Sequence, residues 1–210
     1  MSSTTYNSVN ATAASLSKRQ VAASADRSNV AGTGIWVGIF AITMSFAAFT
    51  SALFVRQGSA NDWVHLSLPP ILYANTIVLL LSSATLMMSR RALGAAGTLN
   101  AESAKSALLW LVATLALGLF FVAGQYDAWH QLAVHGLFIA TNPNSSFFYV
   151  FTGIHALHVF GGLAALVYLI GRLSGSHITF RRSTFESTAI YWHFMGALWL
   201  YLFLLLRAKL

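Results

Sequence analysis

The sequence predicts an all-α integral membrane protein, a bundle of five transmembrane helices, and two observations carry this prediction. Between residues 29 and 206 the chain has five stretches of about twenty residues without a charged side chain. A helix rising about 1.5 Å per residue needs that length to cross a hydrocarbon core of about 30 Å. The 210 residues are also 57% hydrophobic and only 8% charged, which excludes a water-soluble enzyme. We place the spans at residues 34–55, 68–89, 106–126, 147–171 and 187–206.

Residues 1–30 differ from the rest in being rich in Ser, Thr, Ala and Asn, with Lys18 and Arg19 among them. They lack the apolar core of roughly 7–15 residues that a cleavable signal peptide needs. We therefore expect a disordered cytoplasmic tail, followed by a single transmembrane domain over residues 31–210. The basic, acid-poor composition of the tail also resembles an organelle transit peptide, although no clear amphipathic period supports that alternative.

Residues at the ends of the spans support the prediction of transmembrane helices. Span 1 opens with Gly34 and Gly38, whose spacing lets a neighbouring helix approach closely, although glycine is also common in membrane helices generally. Span 2 begins around Pro69 and Pro70, where a helix has no use for the N–H groups that proline lacks. Aromatic residues near the span ends are typical of an interfacial belt: Trp36, Trp63, Trp110, Tyr126, Trp129 and Tyr149.

The segment after span 3, residues 127–146, contains His130 and His135 but no Lys or Arg. Histidines at this separation point to different faces of a helix, so a shared metal ion is not expected. We predict that both are solvated residues of a loop. Because the chain has no cysteine, disulfides, thiolate ligands and iron–sulfur clusters are excluded, and any metal would need His, Asp or Glu.

The distribution of Lys and Arg predicts the orientation. Nine of them lie in the tail and in the connections between spans 2 and 3 and between spans 4 and 5: Lys18, Arg19, Arg27, Arg90, Arg91, Lys105, Arg172, Arg181 and Arg182. Only three lie on the opposite side: Arg56, Arg207 and Lys209. Because cytoplasmic loops are enriched in Lys and Arg, we place the N-terminus in the cytoplasm and the C-terminus outside. The net charge of +7 forms no long basic face, so no nucleic-acid partner is predicted.

Spans 4 and 5 carry His155, His158 and His193 inside their apolar runs. A polar group in hydrocarbon costs several kcal/mol unless it finds a partner, so each imidazole should face protein rather than lipid. His155 and His158 are three residues apart and share one helix face. Two interpretations remain open: the imidazoles are polar struts that hydrogen-bond across the bundle, or they ligate a b-type haem.

Depth in the membrane separates the two interpretations in part. At about 1.5 Å per residue, His193 differs in depth from His155 by about 9 Å and from His158 by about 5 Å. The axial ligands of one haem lie within roughly 4 Å of each other, which excludes His155 and leaves His158 marginal. Trp192 and Phe194 would also fill the space that a haem needs. We predict struts, with a small b-haem membrane cytochrome built on His158 and His193 as the alternative.

Glu186 stands at the mouth of span 5. An acid in the first turn of a helix is favoured by the helix dipole, and Glu186 is also placed to pair with a nearby base. The spans otherwise lack a buried charge and the paired broken helices of transporters, so a transporter is disfavoured.

These residues together resemble subunit III of the haem-copper terminal oxidases, in the short bacterial form with five helices in place of seven. The resemblance covers about residues 34–206. It is strongest at Phe147-Phe148, in the run from Thr152 through Gly153, His155 and His158 to Val159, and in Tyr191-Trp192-His193-Phe194 with Trp199 beyond it. Glu186 fits the family's spacing to His193, and the outer segment is matched approximately by Gln125, Asp127 and Trp129.

Two acidic residues of the family are missing at the matching positions. Its intramembrane Glu, counted from the tryptophan of span 1, here Trp36, falls at Ile42. Its Asp after the Tyr-Trp-His triplet falls at Gly196. The role of those acids in gathering or buffering protons is therefore not carried over to this chain.

The resemblance implies an accessory subunit without cofactors of its own. In these oxidases the complex reduces oxygen to water and pumps protons, while the haems and copper sit in subunits I and II. Subunit III packs beside subunit I, protects the complex and holds lipid between helix groups. For this chain the resemblance implies a multi-pass protein of a bacterial inner membrane, with subunits I and II and lipids as partners. The nearest alternative is the homologous subunit of a quinol oxidase or of a nitric-oxide reductase.

Overall fold

Five long helices make up the protein in the computed structural model, which describes residues 33–59, 69–95, 101–134, 136, 143–175 and 182–209. In chain order the helices are α1 (Thr33–Ser59), α2 (Ile71–Ala95), α3 (Ala101–Val134), α4 (Pro143–Ser174) and α5 (Arg182–Lys209). Each is long and apolar enough to cross a membrane, and the described ranges contain no strand. The predicted all-α fold with five spans is confirmed. The predicted tail, residues 1–30, and His135 lie outside the described residues.

The start of α2 follows from its two prolines. The helix begins at Ile71, directly after Pro69 and Pro70. Its first turn closes where the Leu72 N–H donates to the Pro69 carbonyl and the Tyr73 N–H to the Pro70 carbonyl, both at 3.1 Å. The prolines supply acceptors and need no partner for an N–H of their own, which suits the first turn of a helix.

The largest difference from the sequence-based expectation is at the end of α3. The prediction of a loop over residues 127–146 is wrong for most of the segment, because α3 continues to Val134 and α4 begins at Pro143. His130 therefore lies on a helix, with an exposed side chain. Hydropathy marks only the part of a helix inside hydrocarbon, and residues 127–134 contain no Gly or Pro to stop it. Beyond the helix, Gly136 has a φ of 75° and its N–H donates to the Ala133 carbonyl at 2.9 Å.

Buried residues repeat every seven positions along the helices, in alternating steps of three and four residues. A repeat of this kind is the pattern of helices that pack at a shallow left-handed angle with interlocking side chains. We call these positions the seam of each helix. The α2 seam is Leu72, Asn75, Leu79, Ser82, Leu86 and Ser89. The α3 seam is Ala107, Leu111, Thr114, Gly118, Phe121, Gln125, Ala128 and Leu132. The α4 seam is Phe148, Thr152, His155, Val159, Gly162, Leu166, Leu169 and Leu173.

Four of the helices close into a ring. α2 packs against α3 and α5, and α4 packs against the same two helices. Large buried side chains, among them Trp192, Trp199 and Phe121, fill the interior of this ring. α1 is the least buried helix and lies against α4 and α5. There the Phe46 and Phe151 rings stack at 6.3 Å, and the hydroxyls of Thr50 and Tyr201 share a hydrogen bond of 2.9 Å.

Candidate functional site

Two α5 tryptophans are held in place by hydroxyl groups of α2. The Trp192 indole N–H donates to Ser82 Oγ at 3.1 Å, and the Trp199 indole N–H donates to Thr76 Oγ1 at 3.1 Å. The tryptophans are one seven-residue repeat apart, so they lie on the same side of α5. A buried indole N–H needs a hydrogen-bond acceptor, and in both cases the protein supplies it. The two bonds therefore fix the register of α5 on α2.

The Trp192 ring also fits between two glycines. A Cβ at Gly118 of α3 would lie 2.8 Å from the Trp192 ring, and a Cβ at Gly162 of α4 would lie 2.9 Å from it. Carbon atoms do not approach each other that closely, so a side chain at either position would have to displace its neighbours. The Trp192 side chain consequently contacts α2, α3 and α4 at once and sets the spacing between them.

Sequence reasoning missed the contribution of α2, and the repeat of its polar residues is the signal that could have revealed it. Asn75, Ser82 and Ser89 recur at seven-residue intervals, and all three are buried. The Ser89 hydroxyl donates to the Ala107 carbonyl of α3 at 2.9 Å. Small polar residues on a contact face are typical of membrane helices, because they allow close approach and hydrogen-bond across the interface.

His155 lies inside the ring of four helices, and its side chain is 1% exposed. Its ring lies 6.0 Å from that of Phe121 on α3 and 5.3 Å from that of Trp199 on α5, measured between centroids. Neither of its ring nitrogens has a hydrogen-bond partner among the described residues. His155 thus joins three helices through ring contacts, whereas the expected cross-helix hydrogen bond is not present in this part of the chain.

His158 is half-buried on the side of α4 that faces α1, where its ring lies 6.2 Å from the Phe46 ring. Its Nδ1 is bonded within α4, to the Ile154 carbonyl at 2.7 Å. The hydrogen bond that crosses to α5 uses the backbone instead, because the Tyr191 hydroxyl donates to the His158 carbonyl at 2.9 Å. The link between α4 and α5 that the sequence assigns to an imidazole is therefore made by a tyrosine.

His193 faces away from His158. Tyr191 points at α4, and residues two positions apart on a helix lie on nearly opposite faces. His193 is half-buried, on the side of α5 toward Arg90 of α2. The structure does not bring His158 and His193 together as the two axial ligands of one haem would require.

Glu186 forms a bidentate ion pair with Arg90 of α2. Arg90 Nη2 lies 2.8 Å from Glu186 Oε2, and Arg90 Nε donates to Oε1 at 3.1 Å. The side chains are 57% and 28% exposed, so the pair lies at the rim of the bundle, where its net contribution is at most about 1 kcal/mol.

The family-matching residues at the other end of the bundle connect α3 to α4. The Trp129 indole N–H donates to Thr152 Oγ1 at 3.0 Å, and the Tyr149 hydroxyl donates to the Trp129 carbonyl at 3.3 Å. Asp127 is exposed and accepts a hydrogen bond from Gln131 of its own helix at 3.0 Å. The remaining matches differ in surroundings: Gln125 is buried, Phe194 packs against the core, and Gly153 has open space where a Cβ would be.

The two positions where the family has acidic residues are packed closely against neighbouring residues in this protein. Ile42 lies against the hydrophobic core. A Cβ at Gly196 would approach Ser83 Oγ to 3.3 Å, a tight contact, so a side chain at this position would require the Ser83 hydroxyl to shift. Over the described ranges, no group of three or more His, Asp or Glu side chains is arranged to hold a metal ion.

Comparisons with known proteins place the chain beside one family. The family model for cytochrome c oxidase subunit III matches residues 33–208. A probable cytochrome c oxidase subunit 3 of Mycobacterium leprae is 34% identical over 191 residues, which cover 86% of this chain and 88% of that protein. The Nocardia farcinica protein of the same description is 34% identical over 192 residues, with the same coverage. Cytochrome c oxidase subunit 3 of Corynebacterium diphtheriae is 30% identical over 194 residues, 88% of this chain and 91% of its own length.

Proposed function

This chain belongs to the cytochrome c oxidase subunit III family, and from that premise we propose that it is the accessory, cofactor-free subunit of a proton-pumping oxidase that reduces oxygen to water. As a haem-copper oxidase subunit III with five apolar spans, it is a multi-pass membrane protein and part of an oxidoreductase complex. Its partners in this proposal are subunits I and II, which hold the haems and copper. The membrane is a bacterial inner membrane, with the N-terminus in the cytoplasm.

The observation that carries the proposal is the family match over residues 33–208, which spans all five helices. The packing inside the ring of four helices supports an accessory role, since Trp192, Trp199 and Phe121 fill this space and make fixed contacts there. An interior packed in this way resists rearrangement and suits a scaffold for a neighbouring subunit. We propose that His155, His158, His193 and Glu186 serve this scaffold.

Purification through a tag on this chain in mild detergent tests the assignment. We expect two larger partners that carry haem and copper to co-purify with it. The preparation should consume oxygen with reduced cytochrome c; use of a quinol or reduction of nitric oxide would identify one of the alternative complexes instead. Recovery of the chain alone would contradict the proposal.

A redox difference spectrum of the isolated chain tests the remaining alternative, a small b-haem cytochrome. We expect no haem absorbance in the chain after it is separated from its partners. His193 lies on the face of α5 nearly opposite to Tyr191, which bonds to α4 beside His158, and this arrangement supports the expectation. A b-type spectrum that survives the separation would favour the cytochrome.

A groove beside α1 supports the proposal that the chain holds lipid. It has a volume of about 300 Å³ and lies between α1, α4 and α5. Ile35, Gly161 and Ala165 supply apolar walls, and Thr184, Ser187 and Tyr191 supply hydroxyl groups. An acyl chain along the apolar walls with polar groups near the α5 hydroxyls fits this division.

Filling the groove tests the lipid proposal. Gly161→Leu places a side chain in the groove, whereas Gly171→Leu adds the same side chain to α4 where a Cβ would meet nothing within 4 Å. We expect mass spectrometry of the purified complex to show loss of retained phospholipid for Gly161→Leu alone. Equal lipid content in both variants would contradict it.

A further inference from the structure

Three buried polar side chains of the ring lack hydrogen-bond partners among the described residues. His155 of α4 is 1% exposed, Gln125 of α3 is 2% exposed and Asn75 of α2 is 4% exposed. The atoms concerned are both ring nitrogens of His155, the amide nitrogen and oxygen of Gln125, and the amide nitrogen of Asn75. Each side chain occupies a seam position of its helix, so all three face the interior of the bundle.

Contacts between α3 and α4 place Gln125 and His155 in the same layer. Phe121 lies against His155, with 6.0 Å between ring centroids, and Trp129 donates to Thr152 at 3.0 Å. Gln125 lies one helical turn from each of these two α3 residues and on the same face of the helix. It therefore faces α4 between Thr152 and His155.

Asn75 reaches this layer from α2. Its amide lies directly over Gly124, which precedes the α3 glutamine, since a Cβ at Gly124 would collide with Asn75 Oδ1. The next α2 residue, Thr76, accepts the hydrogen bond of Trp199, whose ring lies 5.3 Å from that of His155. The three polar side chains thus lie in one layer of the four-helix ring, with Gln125 on α3 between Asn75 on α2 and His155 on α4.

We propose that Asn75, Gln125 and His155 form a closed intramembrane site for water, in which one or more internal water molecules bridge α2, α3 and α4. The unpartnered atoms combine amide donors, an amide acceptor and a neutral imidazole with one donor and one acceptor nitrogen. Water both donates and accepts and makes about two to four hydrogen bonds when buried, which matches this mixture. The site is independent of the proposed oxidase function, because it needs only the packing of the three helices.

The same atoms do not suit a bound ion. A cation requires several oxygen ligands, usually including a carboxylate, and the acid next along α3, Asp127, is exposed and bonded to Gln131. An anion requires Lys, Arg or a free helix N-terminus. The site instead consists of Asn75, Gln125 and His155, which lie on the seams within α2, α3 and α4. The site therefore suits a neutral ligand that can both donate and accept hydrogen bonds, as water does.

Radiolytic footprinting in ¹⁸O-labelled water tests the site on the full chain in its purified complex. Ionised internal water oxidises the side chains beside it, so we expect ¹⁸O to appear on Phe121 and Trp199, which are buried next to His155. Phe185 is also buried but lies elsewhere on α5, and it should stay unlabelled. Unlabelled Phe121 and Trp199 would overturn the proposal and indicate that the polar side chains bond to one another directly.

An apolar variant supplies the second arm of the test. The triple change Asn75→Leu, Gln125→Met and His155→Phe removes every group that would hold water, and we expect loss of the label on Phe121. The single change Gln125→Met should keep part of the label, because two polar side chains remain, and it serves if the triple variant does not fold. Label on Phe121 that is unchanged in both variants would contradict a water site made by these residues.

Discussion

At the scale of single residues, the bundle depends on side chains that fit closely against particular neighbours. Trp192 is the clearest case, since its N–H is bonded to Ser82 while its ring lies between Gly118 and Gly162. The ring fills the space that the absent Cβ atoms leave, so a small addition there displaces a large buried group. Residues outside such contacts, for example Gly153, tolerate a side chain on steric grounds.

Gly162→Ala is therefore expected to destabilise the protein by about 1–3 kcal/mol, because the added methyl group overpacks the Trp192 ring. Gly161→Ala is the matched control, since its Cβ would lie 3.6 Å from the Tyr191 hydroxyl, an ordinary contact. Reversible unfolding in mixed detergent, followed by circular dichroism, measures the difference. Equal stability of the two variants would show that the α4 backbone moves away from the ring without cost.

His193→Leu tests the role that we propose for the histidines as scaffold residues. We expect less of the chain to remain with its complex after detergent washing, because leucine removes the hydrogen-bonding capacity of a half-buried side chain within the membrane span. The haem content of the complex should be unchanged. His130→Leu, an exposed position near the end of α3, is the control. Loss of haem absorbance in the His193 variant would count against the proposed role.

At the scale of whole helices, the seven-residue repeat explains why the polar groups of α2 matter. Every seam position faces another helix, so a serine placed there faces protein rather than lipid. Ser82 and Ser89 lie on this seam and bond to α5 and α3, respectively. Helix α2 consequently joins both of its neighbours through side chains that a hydropathy profile treats as minor interruptions.

Ser82→Ala should lower the free energy of unfolding by about 1 kcal/mol, since it leaves the Trp192 N–H without an acceptor in a buried site. Ser83→Ala, one residue away and off the seam, should have a smaller effect. Replacing both partners, in Ser82→Ala with Trp192→Phe, removes the unpaired donor and isolates the hydrogen bond from the loss of ring packing in Trp192→Phe alone. A thermodynamic cycle over these variants gives the coupling, and a coupling of zero would exclude a role for the bond.

At the scale of the whole molecule, stability comes from the ring of α2 to α5 rather than from charge. The Arg90–Glu186 pair closes the ring between α2 and α5 at one rim, but its exposure limits its contribution to at most about 1 kcal/mol. The buried aromatic interior and the seams make the larger contribution, since they run the length of each helix. α1 adds to this ring from outside and shares the groove proposed for lipid.

The orientation of the molecule is a prediction for the whole chain. Because the Lys and Arg residues are concentrated on one side, we expect a fluorescent protein fused to the N-terminus to fold and fluoresce in the cytoplasm. Alkaline phosphatase fused to the C-terminus should be active outside, since five spans put the two ends on opposite sides. Active phosphatase at the N-terminus and inactive phosphatase at the C-terminus would reverse the assignment.

The sequence alone determined that this is a five-span helical membrane protein, and its histidine and tryptophan motifs identified the family that the comparisons confirm. Hydropathy is a sum over about twenty residues, so it tolerates local errors and misses only helix that extends beyond hydrocarbon, as α3 does past residue 126. Only the tertiary structure decided that Tyr191 rather than an imidazole bonds across to α4, and that α2 hydroxyls hold Trp192 and Trp199. Neighbouring residues on a helix point about 100° apart, so the partner of a buried polar group depends on rotations and neighbours that are not written in the local sequence.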